Sequence, residues 1–240
     1  MSEGLEEPIL INIPGVPVIT TMAWVVIAIL VVFAVIVRMG LSLKPKGAQN
    51  LLELVFDFIG NLSKTMIGKE GMRLLPLFCT LFLFIFISNL LGLLPGFKSP
   101  TSSLNTNVAL ALIVFFSTHY FGIRKKGVFG YLRHFMGPPY WLAPLFFPIH
   151  IIGELARPLS LSMRLFGNIL AKEIILGVLA YLFTVFYFSP GIAGKFLSIM
   201  PLFLRPVIIL LGCLVSFIQA LVFTSLSMIY IGGAIASHEE

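Results

Sequence analysis

The stretch FFPIHIIGELARPLSLSMRLFGNILAKEIILGVLAYLFTVFYF, residues 146–188, decides the fold. It is mostly apolar over about 40 residues, and a helix of that length reaches some 60 Å, twice the roughly 30 Å hydrocarbon core of a bilayer. A second stretch of the same kind fills residues 196–236, after the turn Ser189-Pro190-Gly191-Ile192-Ala193-Gly194. Pro158, Pro201 and Pro206 can break these stretches early, because proline removes a helix hydrogen bond. Beyond them about 30 residues still remain on each side, too many for one upright span and too few for two. Strongly tilted membrane helices, kinked near the prolines, are therefore expected.

Composition agrees. With 58% hydrophobic residues, 11% charged and a mean hydropathy of +1.04, the chain is far from a soluble domain, where about a quarter of residues carry charge. Its 240 residues allow about five or six spans of roughly 20 residues. They form one membrane domain, residues 1–240, with no room for a large soluble appendage. The net charge of +6 is scattered over short loops and forms no basic stripe, which argues against nucleic acid and for membrane lipids as partners. Cys79 and Cys213 sit in apolar runs without metal-ligand spacing, so neither a disulfide nor a metal site is expected, and no cofactor motif is present. The acidic start, MSEGLEEP, resembles neither a secretory leader nor a transit peptide, so no cleaved segment is expected.

Working toward the N-terminus, residues 74–121 read as a two-helix hairpin, with spans at 74–94 and 108–121. Its polar turn holds Pro100, Thr101, Ser102, Ser103, Asn105, Thr106 and Asn107. Residues 127–139 read as a loop carrying Arg133 and His134, followed by Tyr140-Trp141, an aromatic pair suited to a membrane interface. In residues 49–67, Glu53, Asp57, Asn61 and Lys64 recur at about four residues among apolar neighbours, the pattern of an amphipathic helix on the membrane surface. Packing against neighbouring helices is the alternative there. A first span covers residues 18–37, with Trp24 near one interface. The fold expected is all-α and integral to the membrane: one N-terminal span, an interfacial amphipathic helix, a two-helix hairpin and two long strongly tilted helices.

Ten cations fall on one side of this path: Arg38, Lys44, Lys46, Lys64, Lys69, Arg73, Arg124, Lys125, Lys126 and Arg133. Only Lys98 and Lys195 fall on the other. The asymmetry predicts an N-terminus outside and a C-terminus in the cytoplasm.

The remaining cations are Arg157, Arg164, Lys172 and Arg205. Charge at the bilayer centre costs about 2.5–3.5 kcal/mol on insertion scales, so ionisable groups there face protein or water. On a helical wheel Arg157, Ser160, Arg164 and Asn168 fall within about 80° of one another, with Glu154 and Lys172 on the flank. Glu173 points almost opposite Arg164 and serves a different environment. Glu154 and Arg157, at i and i+3, read most simply as an interfacial ion pair. Lys172 has two readings, snorkelling to a boundary or facing the stripe, and Arg205, beside Pro206, reads as reaching the outer interface. Gln219 is the strongest hydrogen-bonding group of the last stretch and shares a face with Ser216 and Phe223; ordinary helix–helix bonding is its alternative reading. Arg164 has no acid at i±3 or i±4, so its partner comes from another helix, a ligand or another protein. A guanidinium does not deprotonate in proteins. It favours the ionised form of a carboxylate within about 4–6 Å by roughly 10- to 1,000-fold.

The segment ELARPLSLSMRLFGN (154–168), with SNLLGLLPG (88–96) upstream and QALVF (219–223) and IYI (229–231) downstream, closely resembles subunit a of F-type ATP synthases. The likeness runs from about residue 74 to the C-terminus. It implies a bacterial, non-catalytic, proton-conducting stator in the F0 sector of the inner membrane. Its implied partners are a rotating ring of c-type proteolipids, b-type peripheral stalk subunits and the remainder of the F1F0 complex. By that resemblance Arg164 faces the ring between two half-channels, drawing passing carboxyls into their ionised form and blocking leakage. Gln219 holds the arginine, Asn168 and Glu173 line the proton path, Glu173 on its outer branch, and Glu154 takes part on the inner route. Ser160, Ser103, Asn105, Asn107 and Lys172 are further lining candidates. Three features depart from the family pattern: Ser103 where many relatives carry aspartate, Lys172 beside Glu173, and Gly212 where some relatives carry a titratable group. A rival reading, an autonomous secondary transporter of an anionic substrate, predicts internal repeats, and the two halves show no convincing one.

Overall fold

The structure, a computed structural model, describes residues 15–39, 47–94, 96–136, 143–189 and 192–236. Lys44, Lys46, Pro95, Pro139, Tyr140, Trp141, Pro190, Gly191 and the acidic N-terminus, all given places in the sequence reading, lie outside the described residues.

Every regular element among the described residues is helical. They are α1 (Val18–Met39), α2 (Ala48–Ile67), α3 (Leu75–Leu91), α4 (Leu104–Met136), α5 (Ala143–Tyr187), α6 (Ile192–Leu197) and α7 (Ile199–Ile235), with 3-10 turns at Lys69–Leu74 and Pro100–Ser102. Five segments are long and apolar enough to cross a membrane: Val18–Met39, Lys69–Leu91, Leu104–Val128, Phe147–Tyr187 and Gly194–Ile235. The chain is an all-helical, multi-pass membrane protein.

The 45 residues of α5 and 37 of α7 correspond to about 68 and 56 Å of helix. Pro148 and Pro158 lie inside α5, and Pro206 inside α7, without ending either. Each proline forfeits one backbone hydrogen bond. Ending the helix in an apolar medium would orphan several more, so the sequence runs on.

The expected loop at residues 127–139 is corrected by α4. Helix resumes after one non-helical residue, Gly127 at φ 72°, ψ 164°, and continues to Met136. Glycine accepts positive φ because it has no Cβ to clash, so the break is local. Met136 is the last described residue of this helix. Arg133 and His134 thus belong to helical backbone.

The chain divides into two compact units, cut within α1, α3, α5 and α7. The first comprises Met1–Val32, Leu83–Ser103 and Leu165–Ala220. Met22 and Val26 of α1 pack with Leu91 of α3, flanked by Phe84, Ile87 and Phe97. Phe86 meets Phe217 of α7 edge to face at 6.0 Å. The turn after α3 is knitted by buried polar groups. Ser99 Oγ donates to the Ser88 carbonyl at 2.8 Å and lies 2.7 Å from Thr101 Oγ1, which donates to Asn89 Oδ1 at 2.6 Å. In apolar surroundings an unpaired hydroxyl is costly, so these side chains close the end of α3 on themselves.

The second unit comprises Phe33–Phe82, Leu104–Arg164 and Leu221–Glu240. Ile59 of α2, Phe78 of α3, Val114 of α4, Leu161 of α5 and Phe223, Met228 and Ile231 of α7 are buried in it. α2 is amphipathic: Ile59 and Ser63 are buried while Leu51, Leu54 and Phe58 are exposed. An ion pair between Lys125 of α4 and Glu70 of the 3-10 turn ties the end of one span to the start of another.

Candidate functional site

In the first unit α5 and α7 are joined by two polar rungs. Asn168 Nδ2 donates to Gln219 Oε1 at 2.5 Å, and Lys172 Nζ donates to Ser216 Oγ at 2.9 Å. As the α5 number rises by four, the α7 number falls by three, so the helices run antiparallel here with rungs one turn apart, about 5–6 Å. Ser216 Oγ donates in turn a hydrogen bond to the Gly212 carbonyl at 2.7 Å. Lys172 thus turns toward α7, on the same side of α5 as Asn168. A Cβ at Gly212 would come within 2.7 Å of Leu93 Cδ2, so a larger residue there requires the leucine side chain to move aside.

Gln219 is buried, and its Nε2 has no hydrogen-bond partner among the described residues. Its amide is thus held through oxygen alone. Hydrogen bonds between membrane helices average about 0.6 kcal/mol in coupling energy, with a maximum near 1.7. The Asn168→Leu and Gln219→Leu variants are therefore expected to couple by about that range. A double-mutant cycle of unfolding in detergent checks it, and strict additivity of the two losses would deny the bond.

Glu173, half-buried on the neighbouring face of α5, interacts with the Ser102 side chain and electrostatically with Lys98 and Lys172. The polar hairpin therefore reaches a carboxylate, through Ser102. Ser103, the position singled out by the sequence, is half-buried in extended backbone just after the 3-10 turn. Ser102 is one of the neutral polar residues that the sequence offered as lining in that turn, with Ser103, Asn105 and Asn107.

The second unit holds Arg164, Glu154, Ser160, Asn105 and Asn107. Glu154 Oε1 pairs with Arg157 Nη1 at 2.7 Å, as the i, i+3 spacing requires. Arg157 also lies over the Tyr230 ring, 5.1 Å from its centroid, a cation–π contact. Glu154, Arg157, Tyr230 and Thr118 line a cavity of about 10 Å³, room for about one water. On α4 the Tyr131 hydroxyl lies 2.9 Å from His119 Nδ1. Burial, and next the Glu154 charge, raise the Tyr131 phenol above its usual range against the opposing Arg157, so it stays protonated. Tyr230, His119 and Tyr131 carried no assigned role in the sequence. Only Tyr230 had a signal, in the motif IYI. Ser160 and Asn105 are exposed and Asn107 is buried.

Arg164 is exposed and makes no ion pair or hydrogen bond among the described residues. Only 6% of the span window in α5 is buried, against 50% for Lys69–Leu91. Exposed on α5 are Leu155, Leu159 and Met163, with Ala156, Ser160, Gly167 and Ala171 among them. Among the described residues no three His, Cys, Asp or Glu side chains gather where a metal could sit. Cys79 and Cys213 are free.

Membrane-length helices that hold a part-buried polar ladder and leave an arginine without a counter-charge among the described residues define a class, multi-pass proteins that manage charge inside a bilayer. Residues 20–232 match the ATP synthase A chain family. The chain is 47% identical over 221 residues to ATP synthase subunit a 1 of Syntrophotalea carbinolica, covering 92% of this chain and 87% of that one. It is 45% identical over 231 residues to ATP synthase subunit a of Geobacter sulfurreducens, covering 96% and 93%. To ATP synthase subunit a of Trichlorobacter lovleyi it is 44% identical over 212 residues, covering 88% and 84%. The chain belongs to the ATP synthase A chain family. The rival reading as an autonomous transporter is not favoured by these relatives.

Proposed function

We propose that this chain is the proton-conducting stator subunit of the F0 sector of a bacterial rotary ATP synthase, non-catalytic itself. It lies in the inner membrane with its N-terminus outside and its C-terminus in the cytoplasm, α2 resting along the membrane surface. The observation that carries the reading is Arg164, exposed on a sparsely buried helix with no acid of its own chain to neutralise it among the described residues. Its counter-charge is then a carboxylate on a passing c-type proteolipid.

A fixed guanidinium favours the ionised form of an approaching carboxyl and so expels its proton. The same permanent charge repels a proton crossing directly between two half-channels. Glu173, with Ser102 and Lys98 beside it, serves the outer half-channel; Asn105 and Asn107, in the second unit, serve as neutral polar lining of the path. Glu154, with Arg157 and Tyr230 around a water-sized cavity, serves the inner one. Gln219 acts on the arginine through α5, which it holds by the hydrogen bond from Asn168, one turn along from Arg164. Ser160 and Lys172 complete the polar lining of α5.

The test is gentle isolation of the chain from its membrane. A c-type proteolipid ring and b-type stalk subunits are expected to come with it. Recovery as a lone protein that, in liposomes, takes up an anionic solute by itself would sink the stator reading.

A further inference from the structure

A basic pocket of about 420 Å³ opens in the second unit, lined by Glu70, Arg73, Leu74, Phe121, Arg124, Lys125 and Ile235. Its size falls within the range of small-molecule sites, about 300–1,000 Å³. Three cations face one carboxylate there, an excess of two positive charges. Glu70 is already paired with Lys125, which leaves the Arg73 and Arg124 guanidinia without an acid partner among the described residues. Guanidinium is the group best suited to gripping a phosphate with parallel hydrogen bonds.

The pocket does not stand alone. A second groove of about 470 Å³ shares Arg73, Leu74 and Phe121 with it and continues along Pro76, Leu77, Phe116 and Tyr120. Phe116 is 63% exposed and Tyr120 59%. The basic end lies where the span Lys69–Leu91 begins and Leu104–Val128 ends, and the apolar groove leads from there along the spans. A charged head pocket at a membrane boundary, continued by an apolar trough of similar size, has the two-part chemistry of one ligand class. We infer that the two cavities form a seat for an anionic phospholipid, its phosphodiester between Arg73 and Arg124 and one acyl chain along Phe116 and Tyr120. Free phosphate fills only the first cavity, and a neutral phospholipid fits the trough but leaves the charge excess unmet. The inference is independent of the proton path.

The test is native mass spectrometry of the full chain in detergent with phosphatidylglycerol or phosphatidylcholine added. Preferential retention of phosphatidylglycerol is expected. At about fivefold per surface cation, the double variant Arg73→Gln, Arg124→Gln should bind it roughly 25-fold more weakly. Glu70→Gln should bind it more tightly, and Lys64→Gln, a cation on α2 outside the pocket, should leave it unchanged. The gain in Glu70→Gln guards against a double variant that merely misfolds. Equal retention of both lipids, an unchanged double variant, or displacement of the lipid by excess inorganic phosphate alone would each overturn the assignment. So would a rise in lipid retention on removing residues 237–240, because the acidic Glu239-Glu240 tail would then be the occupant.

Discussion

Replacing Arg164 by alanine is expected to abolish proton-driven ATP synthesis while the complex still assembles. The side chain is exposed and bonded to nothing among the described residues of its own chain, so its loss leaves no orphaned partner in the fold. What disappears is a fixed cation, together with the roughly 10- to 1,000-fold bias toward an ionised carboxylate that a neighbouring positive charge supplies. Synthesis in inverted membrane vesicles should fall by at least about a hundredfold. Passive proton leak through the detached membrane sector should rise, as the blocking role proposed for this charge requires. Arg164→Lys is expected to fail as well, since an ammonium in an apolar site sheds its proton where a guanidinium does not. Normal coupling in the alanine variant would remove Arg164 from the mechanism.

The second large effect is expected at Glu173. Between residues 165 and 220 it is the only acidic residue, and it interacts with Ser102, Lys98 and Lys172. Glu173→Gln keeps size and hydrogen-bonding capacity but cannot exchange a proton. Positioned proton-transfer groups contribute about 100- to 10,000-fold in favourable cases. With water able to substitute in a channel, a loss of about tenfold to a hundredfold in proton flux is the expectation. Glu173→Asp should recover most of it. Flux measured with a pH-sensitive dye in vesicles decides, and a glutamine variant conducting at the native rate would place the outer route elsewhere.

Much of this was legible in the amino-acid pattern. Apolar run lengths give five membrane-length segments, the number found among the described residues, because in hydrocarbon a helix must satisfy its own backbone and little else competes. The Glu154–Arg157 pair followed from i, i+3 spacing alone. Contacts between helices were not legible. Nothing in the spacing of Lys172 selects Ser216, and nothing in a turn rich in hydroxyls says that Ser99 and Thr101 close on Asn89 while Ser102 reaches Glu173. Those choices depend on the rotation and depth of one helix against another, which single-chain periodicity does not encode. The α4 extension beyond Gly127 was hidden for a different reason. A glycine after three successive cations reads as the start of a loop, yet a single positive-φ residue suffices to turn the chain and let the helix begin again.

The two rungs between α5 and α7 also have a mechanical meaning. Because they sit one turn apart and join side chains of different length, sliding one helix along the other by a single residue breaks both at once. Displacement of this part of α5 along α7 is therefore resisted by two polar pins as well as by the interdigitated apolar side chains around them. The polar groups of the ladder thus help to fix where along the helix pair each residue stands.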